Sequence, residues 1–143
     1  MPSDSTLRRR FLLTPSAESR PSLLVELYPS IGPGALKETR EKMLGIGCAH
    51  ALVLDPERCV ILRDTFASMD VSSIENAASL RTADLLANET GALDVRLEHW
   101  LNSLARNWHQ ALPHEPWIAV LLEDVVPAAA GAIVRNAPIA GAA

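Results

Sequence analysis

Long hydrophobic runs are missing from this sequence. No stretch of about 18 uncharged apolar residues occurs, and a membrane-spanning helix needs that length. Cysteine is scarce: Cys48 and Cys59 are the two present, too few for a disulfide scaffold. Both lie among apolar neighbours, as buried reduced thiols do. Net positive charge is also absent. The 143 residues carry a formal net charge of −4, which argues against a protein that binds duplex nucleic acid over a broad surface. No Gly/Ser linker and no internal repeat divides the chain. A secretory signal is not expected, because the apolar stretch after Arg8-Arg9-Arg10 ends within three residues at Thr14-Pro15. A cytoplasmic location follows as the expectation. Gly32-Pro33-Gly34 and Gly45-Ile46-Gly47 lack the lysine and the spacing of a phosphate-binding loop.

What is present is ordinary for a globular chain. Hydrophobic residues make up 48% and charged residues 21%, and this length supports one domain, residues 1–143, with a sizeable core. Arginine (11) far outnumbers lysine (2), a codon-usage bias that fits a GC-rich bacterial genome.

Apolar patterning places the elements. Residues 7–13 read as a strand. Residues 22–28 read as a stronger one, nearly continuous in apolar character, as for a strand buried on both faces. A loop rich in proline and glycine follows. The spacing then predicts a helix over 35–46, with Leu36, Met43 and Leu44 near one stripe and Gly47 ending it. Residues 49–54 and 59–64 read as two strands of a hairpin around Asp55-Pro56. Ser72 and Glu75 have capping-box spacing, which predicts a short helix there. Thr82 starts another, through Ala87. Residues 93–112 carry the best helical stripe in the chain, running from Leu93 through Trp100 and Trp108 to Leu112. Residues 117–122 form an apolar run of either type, and Pro127 suits the first turn of a last helix over 128–134. The fold class expected is α/β: a small mixed sheet with flanking helices over about 7–66, then a helical C-terminal half over about 72–135.

The segment Pro21-Ser22-Leu23-Leu24-Val25-Glu26-Leu27-Tyr28, the helix after it, and the hairpin from His50 resemble the core of the PD-(D/E)xK nuclease-like superfamily. The resemblance implies a restriction-endonuclease-like core with a carboxylate pair holding a divalent metal beside a lysine. Glu26 matches the family carboxylate. Tyr28 stands where the lysine belongs, and tyrosine is uncharged at neutral pH. Pro21-Ser22 lies on the Pro-Asp half without its aspartate, and Glu18 is the only acid nearby. A single carboxylate makes a poor Mg²⁺ site. The resemblance therefore implies a degenerate motif, no required cofactor, and a non-catalytic module for protein–protein interaction or assembly. Its partners would be other protein subunits or further copies of the chain. The alternative is a Mg²⁺-dependent DNA nuclease, as in a defence system, with Glu26 and Glu18 as ligands.

Other constellations have two readings each. Trp100, Trp108 and Trp117 offer a recognition surface, or a core stripe. Arg8, Arg9 and Arg10 offer phosphate contacts for a nucleic acid, or a solvated charge run. His109, His114 and Glu115 contain a ligand set for a metal, or are helix-end side chains in water. Cys48 or Cys59 with His50 offers a nucleophile and base without an orienting third group. Glu26 itself, on a buried strand, is expected to find an arginine or backbone partner, because an unpaired buried charge is costly.

Overall fold

The computed structural model describes residues 8–16, 19–112 and 115–137. Six strands form one mixed sheet in the order β5-β4-β3-β2-β1-β6. They are β1 (Arg9–Thr14), β2 (Leu23–Leu27), β3 (His50–Leu54), β4 (Arg58–Asp64), β5 (Ile74–Arg81) and β6 (Ile133–Asn136). The helices are α1 (Pro33–Ile46), α2 (Thr82–Leu85), α3 (Leu93–Arg106), α4 (Trp108–Ala111), α5 (Pro116–Leu121) and α6 (Val125–Ala129). The fold class is α/β, as expected from the apolar runs.

The strand β2 is buried along its whole length because both faces of the sheet are covered. It pairs antiparallel with β1 and, across the α1 crossover, parallel with β3. Side chains of alternate parity feed two separate cores. Phe11, Leu13, Leu23, Val25, Leu27, Leu52 and Leu54 face the layer of α2 to α6. Leu24, Tyr28, Ala51, Val53, Val60 and Leu62 face α1 and its Met43. Burial of this apolar surface, at about 25 cal/mol per Å², is the main driving term of the fold.

Helix α1 starts at Pro33, where the missing N–H would be unsatisfied in any case. It ends at Gly47, which adopts φ 70° and returns its N–H and that of Cys48 to the carbonyls of Leu44 and Met43. Its buried positions are Thr39 and Met43, and Leu44 of the expected stripe is exposed instead.

Three expected elements differ. No helix begins at Ser72. Residues 71–73 make one 3₁₀ turn, capped by Asp70 through the Ser72 N–H, and the chain from Ile74 pairs with β4 as β5. The Ser72/Glu75 spacing is thus not a capping box, and pairing overrides the weak strand propensity of Glu, Asn, Ala and Ser. The helix expected over 93–112 breaks at Asn107 (φ −152°, ψ 79°), so that α4 folds back against α3. Trp100 Nε1–H then donates to the Ala111 carbonyl at 3.1 Å, satisfying a buried donor that a continuous helix would leave unpaired. The last helix ends at Ala129, and Ile133–Asn136 runs antiparallel to β1 as the sheet's other edge. The C-terminal half is therefore not purely helical: it supplies both edge strands. The run at 117–122 is helical, as α5.

The pairing of β4 with β5 is regular except at one point. Ile61 faces Ala78 while Leu62 faces Asn76, so Ala77 is an extra residue, a bulge on an edge strand.

Candidate functional site: a closed carboxylate cluster

Glu26 lies at the centre of β2, on the face covered by α1, with no exposure to solvent. The β1–β2 register places Arg10 directly opposite. Arg10 Nε and Nη2 donate to Glu26 Oε2 and Oε1, each at 2.8 Å, in a bidentate fork. Arg8 lies two residues earlier on the same face. Its Nη1 sits 3.5 Å from Glu26 Oε2, its Nη2 bonds Glu38 of α1, and its guanidinium stacks 3.9 Å over the Tyr28 ring. Arg10 Nη2 also lies 3.9 Å from Glu38. Two arginines and two glutamates thus form a neutral cluster between sheet and helix. The hydrogen bond to Glu26 holds the Arg10 guanidinium above its usual pKa. Burial pushes the Tyr28 phenol up, against the hydrogen bond from Thr39, so Tyr28 stays neutral.

The family pattern would need a carboxylate with free lone pairs. Both oxygens of Glu26 are engaged by Arg10, and Tyr28 is neutral and packed beneath Arg8. The residues do not fit a divalent cation: an incoming ion would have to displace a buried guanidinium bonded to both carboxylate oxygens. Among the described residues, no group of three His, Cys, Asp or Glu side chains is placed to hold a metal. Glu18, the second acid considered, and His114 lie outside the described residues.

The arginine triplet is divided by the pleat of β1. Arg8 and Arg10 face α1, whereas Arg9 points to the other face and pairs with Asp94 of α3 at 3.2 Å. All three are matched by carboxylates, and they cannot act as one cationic patch. The three tryptophans also part company. Trp100 is core rather than recognition surface, at 1% exposure. Trp108 is half-buried and stacks on His109 with ring centroids 3.6 Å apart. Trp117 is 47% exposed, and Val120, one turn on along α5, is 64% exposed. The pair forms an apolar patch next to β5.

His50 is half-buried, with its pKa lowered by burial in opposition to the nearby Asp124, and the Cys48 thiol donates a hydrogen bond to the His50 carbonyl at 3.2 Å. Burial pushes both cysteine thiols up, so neither is a ready nucleophile.

Asp55 was legible only as a turn residue, yet it organises the far end of the sheet. Its Oδ2 accepts the Ile31 N–H at 2.9 Å, and its Oδ1 accepts the N–H groups of Glu57 and Arg58 at 2.8 Å. Its carbonyl takes the Thr82 hydroxyl. Burial pushes its pKa up, but these backbone donors prevail and hold it below the usual carboxylate range.

Comparison with protein-family models, with curated proteins and with solved structures found no match.

Proposed function

We propose that this chain is a non-catalytic bacterial module for protein–protein interaction or assembly, working in the cytoplasm on a degenerate nuclease-like scaffold. The observation that carries this reading is the closure of Glu26. The one carboxylate that matches the nuclease pattern is spent on the bidentate bond to Arg10. The order β1, β2, α1, β3 with a parallel β2–β3 pair supports a common scaffold. The Trp117/Val120 patch supports a contact surface, since tryptophan is enriched among binding hot spots. Other protein subunits, or further copies of this chain, are the partners this surface suits.

Two measurements test the reading. Plasmid incubated with the purified chain and Mg²⁺ or Mn²⁺ is expected to remain uncut. Metal-dependent cleavage that disappears in Glu26→Ala would establish the nuclease instead. Native mass measurement of the chain drawn from its host is expected to give stoichiometric protein complexes that weaken with Trp117→Ser. Recovery alone, or with nucleic acid in a salt-sensitive complex, would count against it.

A further inference from the structure

At the end of the sheet where β4 leaves and α1 stops, an open cavity of about 300 Å³ remains. Leu44, Cys48, Phe66 and Met69 are among its walls. Phe66 and Met69 stand 75% and 97% exposed at its rim, an unusual use of large apolar side chains. Phe66 also takes φ 60°, a left-handed backbone that an aromatic residue rarely adopts. That conformation is held by Asp64, whose Oδ1 accepts the Phe66 N–H at 2.8 Å and the Ser73 hydroxyl at 2.7 Å.

Two opposite charges line the same cavity. Arg20 lies across Gly47, its Nη1 3.3 Å from the position a Cβ would occupy there. It has no hydrogen-bond or ion-pair partner among the described residues. Asp64 keeps its second oxygen, Oδ2, free of donors among the described residues. Arg20 and Asp64 make no ion pair with each other, although both face the cavity. The arrangement is an apolar hollow with an exposed cation that has no partner among the described residues and a carboxylate with one oxygen engaged by them. Cys48 adds no charge, because burial keeps its thiol protonated. The carbonyl end of α1 lies on the Arg20 side, beside Gly47, and favours the positive charge of that guanidinium.

We infer that this cavity binds a free apolar α-amino acid. The ligand carboxylate meets the Arg20 guanidinium, its ammonium meets Asp64 Oδ2, and its side chain enters between Leu44, Cys48 and Met69. A zwitterion satisfies both charges together, whereas a fatty acid would leave Asp64 unmatched and face it with like charge. An amine alone would be repelled by Arg20. Phe66 and Met69 stand at the rim beside that side chain. The site is separate from the Glu26 cluster and does not depend on the module reading.

The test is a heteronuclear NMR titration of the full chain with L-leucine, L-methionine and L-phenylalanine. Saturable shifts at residues 44–49 and 64–69 are expected with at least one of them. N-acetyl-L-leucine removes the ammonium and L-leucinamide removes the carboxylate. Each is expected to bind roughly tenfold more weakly than leucine or worse, the usual cost of losing a charged hydrogen bond. Arg20→Ala is expected to abolish discrimination between leucine and its amide. Asp64→Asn retains the acceptor for the Phe66 N–H, so it keeps the loop while weakening leucine. Thermal melts of both variants establish that they fold. No saturable shift with any of the three up to roughly 10 mM would overturn the proposal. So would equal binding of leucine and its two derivatives, a result that needs no variant at all.

Discussion

Glu26→Gln is a one-atom change whose cost follows from the geometry of its partner. Glutamine retains one acceptor for Arg10 Nε, but its amide nitrogen must then face a second arginine N–H where Oε1 stood at 2.8 Å. The Arg10 guanidinium, 7% exposed, becomes a buried charge with a half-filled fork, and Arg8 at 15% loses its second counter-charge, the one 3.5 Å away. Removing one member of a buried ion pair costs about 3–5 kcal/mol. For a chain of this size that is a fall in melting temperature of roughly 10–15 °C. Replacing both members with hydrocarbon, as in Glu26→Leu with Arg10→Met, removes the penalty as well as the bond. It is expected to regain most of the loss, to within about 1 kcal/mol of the parent. The remaining Arg8–Glu38 pair is untouched in that variant. Urea denaturation of the parent, Glu26→Leu, Arg10→Met and the double variant gives the coupling energy directly. A Glu26→Gln cost below about 1 kcal/mol would refute the closed-cluster argument. So would a midpoint raised by Mg²⁺ in the parent and not in Glu26→Gln, since only a ligand of the native carboxylate stabilises that way.

Asp55→Ala is expected to lose roughly 3 kcal/mol, because it strands three backbone N–H donors, and chemical denaturation measures it. The same group sets an acid limb. Its folded pKa lies below the unfolded value of about 3.9, so its contribution is fully present above that pH and disappears as pH falls through the lower folded pKa. Asp55→Asn should flatten that limb in melts recorded against pH, and an unchanged limb would assign it elsewhere. Gly47→Ala should cost about 1–2 kcal/mol through its left-handed φ, and it also presses the new methyl onto Arg20. Trp100→Phe should cost about 2–3 kcal/mol, from a lost Nε1–H bond to Ala111 and a small void. A loss near zero in calorimetry would mean that the α3–α4 break does not depend on that bond.

The central sheet was legible because its strands are buried on both sides and therefore apolar almost throughout. β2, β3 and β4 declare themselves by composition, and α1 by its charge pattern and Gly47. The edges were not legible. Ile74 to Arg81 contains four residues of weak strand character, Asn76 to Ser79, and becomes a strand only because β4 offers a ladder. Ile133–Asn136 is too short to carry a period. The Asn107 break is local, but its reason is the carbonyl that Trp100 reaches four residues beyond it. Glu26 was expected to find an arginine or backbone partner, and it does. That the partner is Arg10 follows from the β1–β2 register, which no local pattern specifies. The Arg20–Asp64 cavity draws on three segments distant in sequence, so its residues read singly as parts of a connection, a helix stripe and a strand end.

The extra residue at Ala77 changes what an edge strand can do. Ile74 and Leu80 are six apart, so a regular strand would show them on one side. With the bulge, Ile74 plugs the α1 core and Leu80 plugs the opposite core. One peripheral strand thus acts as a stopper for two compartments. The odd residue also sets a parity rule: losing one amino acid here would not shorten a margin but exchange the strand's inside for its outside on one flank. It further bends the exposed ladder, so a neighbouring chain finds no long straight row of amides to copy.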